Sequence, residues 1–599
     1  MNVSILGAIF YCVAFVSAYI EILLYKKTDR TVPLLGWLPA TFLLLTCYQC
    51  LVAAAINIIH IPITTWTLGI GMGILAIVIM LRVHDKKNIQ KYEWNLWDIL
   101  FVVCLLGVMA YITYRHYGWT NLWINYSGID ASQHWKSAME VYSNHEISGM
   151  FYDKLFNGML FQVFLNWIPL DYSYRVFVLG DLIDFALAAT MFYGLLREMA
   201  KKAYENVIAI LLTLMFVLGY QLDAIFEGFV YLGMGVTLVT LLLFLLQYYE
   251  KNLLSSEMTV VLLNLALLGL ILCYSLYVPI VYVVVCAFVW RQQKKNGKKI
   301  ISGDTVAKCL KVFVVPCIVG FYYSFLGVFG ENLSVGTQIS TEGGIYKDLF
   351  SNFIFVMILA LIGLYQVFHH RKNLGLGYMM LGNTLFIVTL FIGGMLGKIS
   401  AYYFYKMYFL EWMLCFGTAY IALTRGENRG EKVHSGIILG VWVAVLVNGV
   451  FNTGAWIQAN RPLYDVNVKS PALAEVYVDN LTTIKQPAYS LDKQDLYHHA
   501  YDMMTKQKAG FIGIACYWHD SYWYQAFTNL RWEGWDFQED NNYFTTLQEK
   551  NPTYLVVLKD CDLYENNVEY FDNAERVYEN QIGYIIRYDE KALQEYLDR

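Results

Sequence analysis

Fourteen stretches of this chain are apolar over roughly the 20 residues that a helix needs to cross a bilayer, and no other feature restricts its fold so tightly. In hydrocarbon every backbone N–H and C=O must find a partner within the protein, so each stretch is expected as a helix. They run Val3 to Tyr25, Leu34 to Ile58, Ile63 to Arg82, Trp97 to Tyr114, Tyr174 to Leu196, Asn206 to Tyr220 and Val230 to Tyr249. The others are Met258 to Tyr274, Tyr277 to Trp290, Cys309 to Phe329, Ser351 to Phe368, Leu376 to Leu396, Met407 to Leu423 and Ser435 to Trp456. Two tight turns, around Tyr220 to Val230 and Tyr274 to Tyr277, can each be split differently. Composition agrees: of 599 residues 57% are hydrophobic and 15% charged, with mean hydropathy +0.43. That is a polytopic α-helical membrane protein, whose first partner is the lipid bilayer. The net charge is −5 and no basic patch suits nucleic acid.

Lys and Arg in the short connections set the orientation, because basic loops stay on the cytoplasmic side. One set of connections, which includes Lys26, Arg82, Lys201, Lys251, the run Arg291 to Lys311, and Arg371, holds twenty-three of them. The opposite set, tail excluded, holds seven: Arg115, Lys136, Lys154, Arg175, Lys347, Lys398 and Lys406. Both termini are therefore expected outside the cell, on a multi-pass protein of the cell membrane. The first span has no small-residue cleavage site and is longer than a signal-peptide core, so it is expected to be retained.

Three outer segments are long. Arg115 to Ser173 carries the polar motif YSGIDASQHW, Tyr126 to Trp135, and then Phe156 to Leu170, which suits a helix in the interface or re-entering it. Gly330 to Phe350 is a loop with Gly343, Gly344, Tyr346 and Lys347. The third is the tail, where composition turns to that of soluble protein with excess acid. GFIGIAC and TYLVVLKD read as buried strands between helical runs, which predicts a small extracytoplasmic α/β domain with a partly parallel sheet. The resulting organisation is 1–96, three N-terminal helices; 97–457, a membrane core with the outer loop 115–173; and 458–599, the terminal domain.

Nine of the eleven Cys lie in apolar runs and read as small buried hydrophobes, the C-x-x-C of Cys47 and Cys50 included. Cys516 and Cys561, in the tail, can pair if the tail is outside.

Ionisable groups at the mouth of a helical bundle are expensive and carry a functional reading by default. Asp130 and His134 are four apart, hence on one face of a helix, among Trp123, Tyr126 and Trp135. Asp181 and Asp184, three apart in a span, share a face toward the bundle; a structural ion pair or a sugar-hydroxyl site are equal readings. At the outer mouth of a late span lie Lys398, Tyr402, Tyr403, Tyr405 and Lys406, read either as snorkelling Lys with belt Tyr or as donors to an anion. Lys136 and Arg175 are weaker cationic candidates. Asp223 and Glu227 fall on a short outer turn. In the tail His498, His499 and His519, with Tyr517, Trp518, Trp523 and Trp532, read as domain core or as rings that stack on glycan.

An outer-loop Asp after a membrane span, many further spans, a terminal outer domain and the segment SAYYFYKMYF, Ser400 to Phe409, together resemble the GT-C superfamily of membrane glycosyltransferases. The resemblance covers about Trp97 to the C-terminus and implies a polyprenyl-phosphate sugar donor. It also implies a glycan, lipid or protein acceptor, and an inverting transfer at the outer leaflet with Asp130 as base. His134, Lys398, Tyr402, Tyr405, Lys406, Asp181 and Asp184 are then candidates for binding substrate. A phosphate is already a good leaving group, so one base suffices. No cofactor is expected. Ala131 follows Asp130, so a divalent metal would have to draw on Asp223 or Glu227. The competing readings are a polysaccharide or lipid-linked oligosaccharide flippase or transporter, and a polysaccharide polymerase or ligase.

Overall fold

The computed structural model describes residues 5–83, 89–122, 124, 129–147, 153–165, 173–297, 299, 302–330, 349–424, 461–463, 466–468, 477, 480–482, 490–528 and 539–599. Within these, 12 helices are long and apolar enough to cross a membrane. A further helix, Leu349–His370, stands at another expected span. The span expected at Ser435 to Trp456 and the domain boundary at 457/458 lie outside the described residues.

The first helices are α1 (Ile5–Leu24), α2 (Leu34–Ile58), α3 (Thr65–Val83) and α4 (Leu96–His116). The connections before α2 and α4 pair over β1 (Val32–Pro33) and β2 (Tyr92–Glu93). Then come α5 (Asp130–Asn144), α6 (Gly158–Leu165) and α7 (Ser173–Arg197). The segment containing α6 is buried rather than laid on the surface: Gln49 Nε2 donates to the Met159 carbonyl at 3.0 Å, and Phe161 packs on Phe177 of α7. Eight residues cannot span a bilayer, and α6 is enclosed by protein.

The expected span at Asn206 to Tyr220 is longer and broken. It runs as α8 (Ala203–Phe216), a π-helical turn Val217–Gln221 and α9 (Leu222–Phe226). Gly219 is non-helical, with φ −84 and ψ −124, which frees carbonyls inside the bundle. Asn480 of the tail bonds the carbonyls of Leu218 at 3.0 Å and Gly219 at 2.9 Å, and Tyr477 donates to Met215 at 2.7 Å. Irregular backbone at this depth survives because a protein side chain completes it.

α10 (Val230–Glu250) is buried along its whole span and forms the axis of the bundle. Trp37 of α2 packs edge-on against its Phe244 and Tyr248. Around it stand α11 (Ser256–Cys273), α12 (Val278–Lys295), α13 (Gly303–Gly330), α14 (Leu349–His370), α15 (Leu374–Met395), the short α16 (Ala401–Lys406) and α17 (Tyr408–Thr424).

The tail contributes a hairpin of β3 (Arg461–Leu463) and β4 (Val466–Val468), then α18 (Leu491–Thr505), β5 (Ile512–Ala515), α19 (Trp518–Thr528) and α20 (Asp540–Lys550). β6 (Tyr554–Leu558), β7 (Arg576–Glu579) and β8 (Gly583–Arg587) follow. The sheet order is β5-β6-β8-β7, with β5 parallel to β6 and the other pairs antiparallel, so the small terminal sheet domain is present and partly parallel. β7 carries no apolar run to signal it: its residues are mostly exposed, as an edge strand allows. Cys516 and Cys561 are buried as free thiols. Burial pushes the Cys561 thiol up to about 12.

Candidate functional site

α5 starts at Asp130, so Asp130 and His134 share a face one turn apart. Ala131, His134, Trp135, Ala138, Val141 and Tyr142 are buried, the i, i+3, i+4 stripe of a helix packed on one side. Its first turn is tied back by Ser132, whose hydroxyl and amide both donate to the Ile129 carbonyl, at 2.7 and 3.0 Å. Asp130 itself keeps partial exposure.

The turn after α9 fixes where that carboxylate sits. Gly228 has φ +79, and a Cβ there would lie 2.7 Å from the Ala131 amide nitrogen. Only glycine allows both the left-handed backbone and this approach. The same turn delivers Phe229 and Tyr231, which face Lys406.

Lys406, the last residue of α16, is 4% exposed. Its Nζ donates to the Tyr231 hydroxyl at 2.9 Å. It lies 4.0 Å from the ring centre of Tyr402, 5.0 Å from Tyr231, 5.2 Å from Phe229 and 5.9 Å from Tyr274. Taking an ammonium out of water costs several kcal/mol, and four ring faces with one hydroxyl offset part of it. Asp130 supplies the opposing charge: its field acts on both Lys406 and Tyr402, while the Lys406 hydrogen bond goes to Tyr231. Tyr402 is hydrogen-bonded to Tyr231 as well. His134 packs edge-on against Tyr231, ring centres 4.8 Å apart. Asp130, His134, Tyr402 and Lys406 therefore converge.

The remaining candidates lie elsewhere. Tyr405 is buried against Phe404 and Tyr408. Lys398 is exposed in the turn after α15, its amide bonded to the Gly393 carbonyl at 2.9 Å. Asp181 and Asp184 are both buried in α7 and act on one another; Asp181 also acts on Tyr117, and Asp184 on Cys273. Cys273 precedes Tyr274, whose ring lines the Lys406 cage. Both Asp184 oxygens lack a hydrogen-bond partner among the described residues. Asp223 is buried and Glu227 half-buried, and among the described residues no three His, Cys, Asp or Glu gather to hold a metal. Lys136 and Arg175 are half-buried. Trp123, Tyr126, Gly343, Gly344, Tyr346, Lys347 and Trp532 lie outside the described residues.

No family model and no curated protein matches the chain. Solved structures similar to it include ArnT from Cupriavidus metallidurans in the apo state, at 12% identity and a TM-score of 0.45, over 83% of this chain and 98% of that one. The same protein bound to undecaprenyl phosphate is similar at 12% identity and a TM-score of 0.44, over 83% and 98%. The Archaeoglobus fulgidus oligosaccharyltransferase in its apo form is similar at 11% identity and a TM-score of 0.42, over 80% of this chain and 70% of that one. No residue's role is carried over from likeness at this level.

Phe229, Tyr231 and Tyr274 are the members of the site that sequence reading passed over. They stand at the two tight turns where the spans were hardest to divide, and a belt aromatic is indistinguishable there from a cage wall. The terminal domain also reaches the site: Trp523 of α19 lies 6.2 Å from Trp135 of α5, ring centre to ring centre. The rings Tyr517, Trp518 and His519 gather at the start of α19, with Trp518 and His519 3.7 Å apart, whereas His499 stacks on Tyr578 at 3.6 Å.

Proposed function

We propose that the chain is a membrane glycosyltransferase of GT-C architecture that transfers a sugar from a polyprenyl-phosphate donor to a glycan, lipid or protein hydroxyl at the outer leaflet. The observation that carries this reading is a buried ammonium, Lys406, caged by aromatic rings and bonded to Tyr231, which packs on His134 one helical turn from the partly exposed Asp130.

Asp130 accepts the proton of the acceptor hydroxyl as its oxygen bonds to the anomeric carbon; the bond from that carbon to the phosphate oxygen breaks, and the electron pair leaves with the phosphate. One displacement on one face inverts the anomeric centre. Lys406 offsets the charge that grows on the departing phosphate, and its dry surroundings strengthen that interaction. Tyr231 and Tyr402 hold the ammonium in place. Acid help to the leaving group is unnecessary because a phosphate leaves readily.

The test is an assay of the full chain in nanodiscs with a panel of polyprenyl-phosphate sugars and host membranes as acceptor, following release of polyprenyl phosphate. The wild type is expected to turn over at least one donor, and Asp130→Asn to lose about 10²–10⁴-fold with unchanged expression and unfolding temperature. Full activity of Asp130→Asn would remove the proposal. A flippase, by contrast, tolerates that change and moves lipid without breaking the sugar–phosphate bond.

A further inference from the structure

On the face opposite Asp130, where α7, α10, α12 and α17 end and α14 turns into α15, the helix ends enclose a cavity of about 750 Å³. Seven Lys and Arg line it, together with three Glu. The acids are already engaged. Glu198 binds Arg30, Lys251 at 2.8 Å and the Tyr248 hydroxyl at 2.8 Å. Glu205 accepts the amides of Lys201 and Lys202, and Glu250 accepts the Leu374 amide at 3.1 Å. Five cations then have no acid partner among the described residues: Lys201, Lys202, Lys295, Arg371 and Lys372.

These five come from three separate connections, and the backbone brings them to one concavity. The turn bearing Arg371 and Lys372 is anchored on its C-terminal side, by Asn373 to Met199 and by Leu374 to Glu250. Ordinary cytoplasmic-type basic loops need only be basic; they need not converge on an enclosed volume. Seven cations against three carboxylates leave the lining with a formal excess of four positive charges, and an anion relieves their repulsion. A guanidinium fork with several ammonium donors suits the tetrahedral oxygens of a phosphate group.

We propose that this cavity binds a phosphate-bearing anion, either the headgroup of an anionic lipid or a soluble phosphorylated molecule. The site is independent of the transferase reading and lies across the membrane from it. One bound phosphate would contact the ends of α7, α12 and the α14–α15 turn together.

The full chain in phosphatidylcholine nanodiscs, with or without phosphatidic acid, tests the lipid source by native mass spectrometry, and inorganic pyrophosphate tests the soluble source by the shift in unfolding temperature. One probe is expected to bind saturably, and more weakly as salt rises. Arg371→Gln with Lys372→Gln, and separately Lys201→Gln with Lys202→Gln, are each expected to weaken it by about 10–100-fold. Lys591→Gln, on the terminal domain, is expected to leave it unchanged. Having two variant pairs on different connections guards against one of them misfolding. Saturable binding of phosphatidic acid assigns the lipid source, and of pyrophosphate the soluble one. The proposal is overturned if neither probe saturates, or if both variant pairs bind as the wild type does.

Discussion

At the scale of single residues, Lys406 is the most constrained group of the site: a cation buried among rings, held through one hydroxyl and facing Asp130 across space. Replacing a buried charge by an apolar residue of similar size is often neutral or stabilising. Lys406→Met is therefore expected to unfold at the same or a higher temperature while sugar transfer falls about 10²–10³-fold; equal loss of both would mark Lys406 as purely structural. A second charge, in the terminal domain, gives a pH test. Burial raises the Asp520 carboxyl to about 6, against the pull of Lys493, whose Nζ lies 2.9 Å from it and 3.2 Å from Asp560. A folded-state pKa above the unfolded value means stability that is present at low pH and lost as pH rises through it. Lys493→Met takes away the lowering partner, so above that pH the fold must hold an uncompensated buried carboxylate at about 3–5 kcal/mol. Below it Asp520 is neutral and the cost fades. Hydrogen exchange of the β5 and β6 amides in the full chain should show strong loosening at pH 8 and little at pH 5, and equal loosening at both would contradict the assignment.

At the scale of elements, α5 is placed from two sides. The Glu227 to Tyr231 turn lies against its first turn through Gly228, and α19 lies against it through Trp523 and Trp135. Gly228→Ala pays about 1–2 kcal/mol for a left-handed Cβ and must also push Ala131 away, so it displaces the base itself. We expect its transfer rate to fall further than its stability does, read as kcat against unfolding temperature. Trp523→Ala leaves a void of the kind that costs about 3–5 kcal/mol in a packed interior, but at an interface between elements it loosens the contact first. Hydrogen exchange of residues 130 to 144 should rise in that variant; an unchanged α5 would mean that the terminal domain does not support it. The π-helical break before α9 is a further joint. Removing the Asn480 side chain should raise exchange specifically over Val217 to Gln221, because the carbonyls of Leu218 and Gly219 lose their donor.

At the scale of the whole molecule, two chemistries face opposite ways: a carboxylate with a caged ammonium at one mouth of the bundle, and a cationic cavity at the other. Much of this was legible in the residues themselves. Apolar length marks spans because lipid leaves the backbone no other partner, and the long described helices stand at the expected stretches, with α8 and α9 broken by a π-helical turn. GFIGIAC and TYLVVLKD became β5 and β6 for the same local reason. The spacing of Asp130 and His134 likewise needed only a helix to put them on one face. Convergence is another matter. That Tyr231 and Phe229 reach Lys406, 175 positions from Tyr231 along the chain, follows from the left-handed turn at Gly228 and the packing of α10 beside α16. Nor does a residue type disclose which of several outer tyrosines faces a cation: Tyr402 does, its ring centre 4.0 Å from the Lys406 ammonium. Local sequence determines which segments become helix or strand, because hydrogen bonding and burial along one segment suffice for that. Only the tertiary structure decides which charges share a dielectric, because that depends on how distant segments pack.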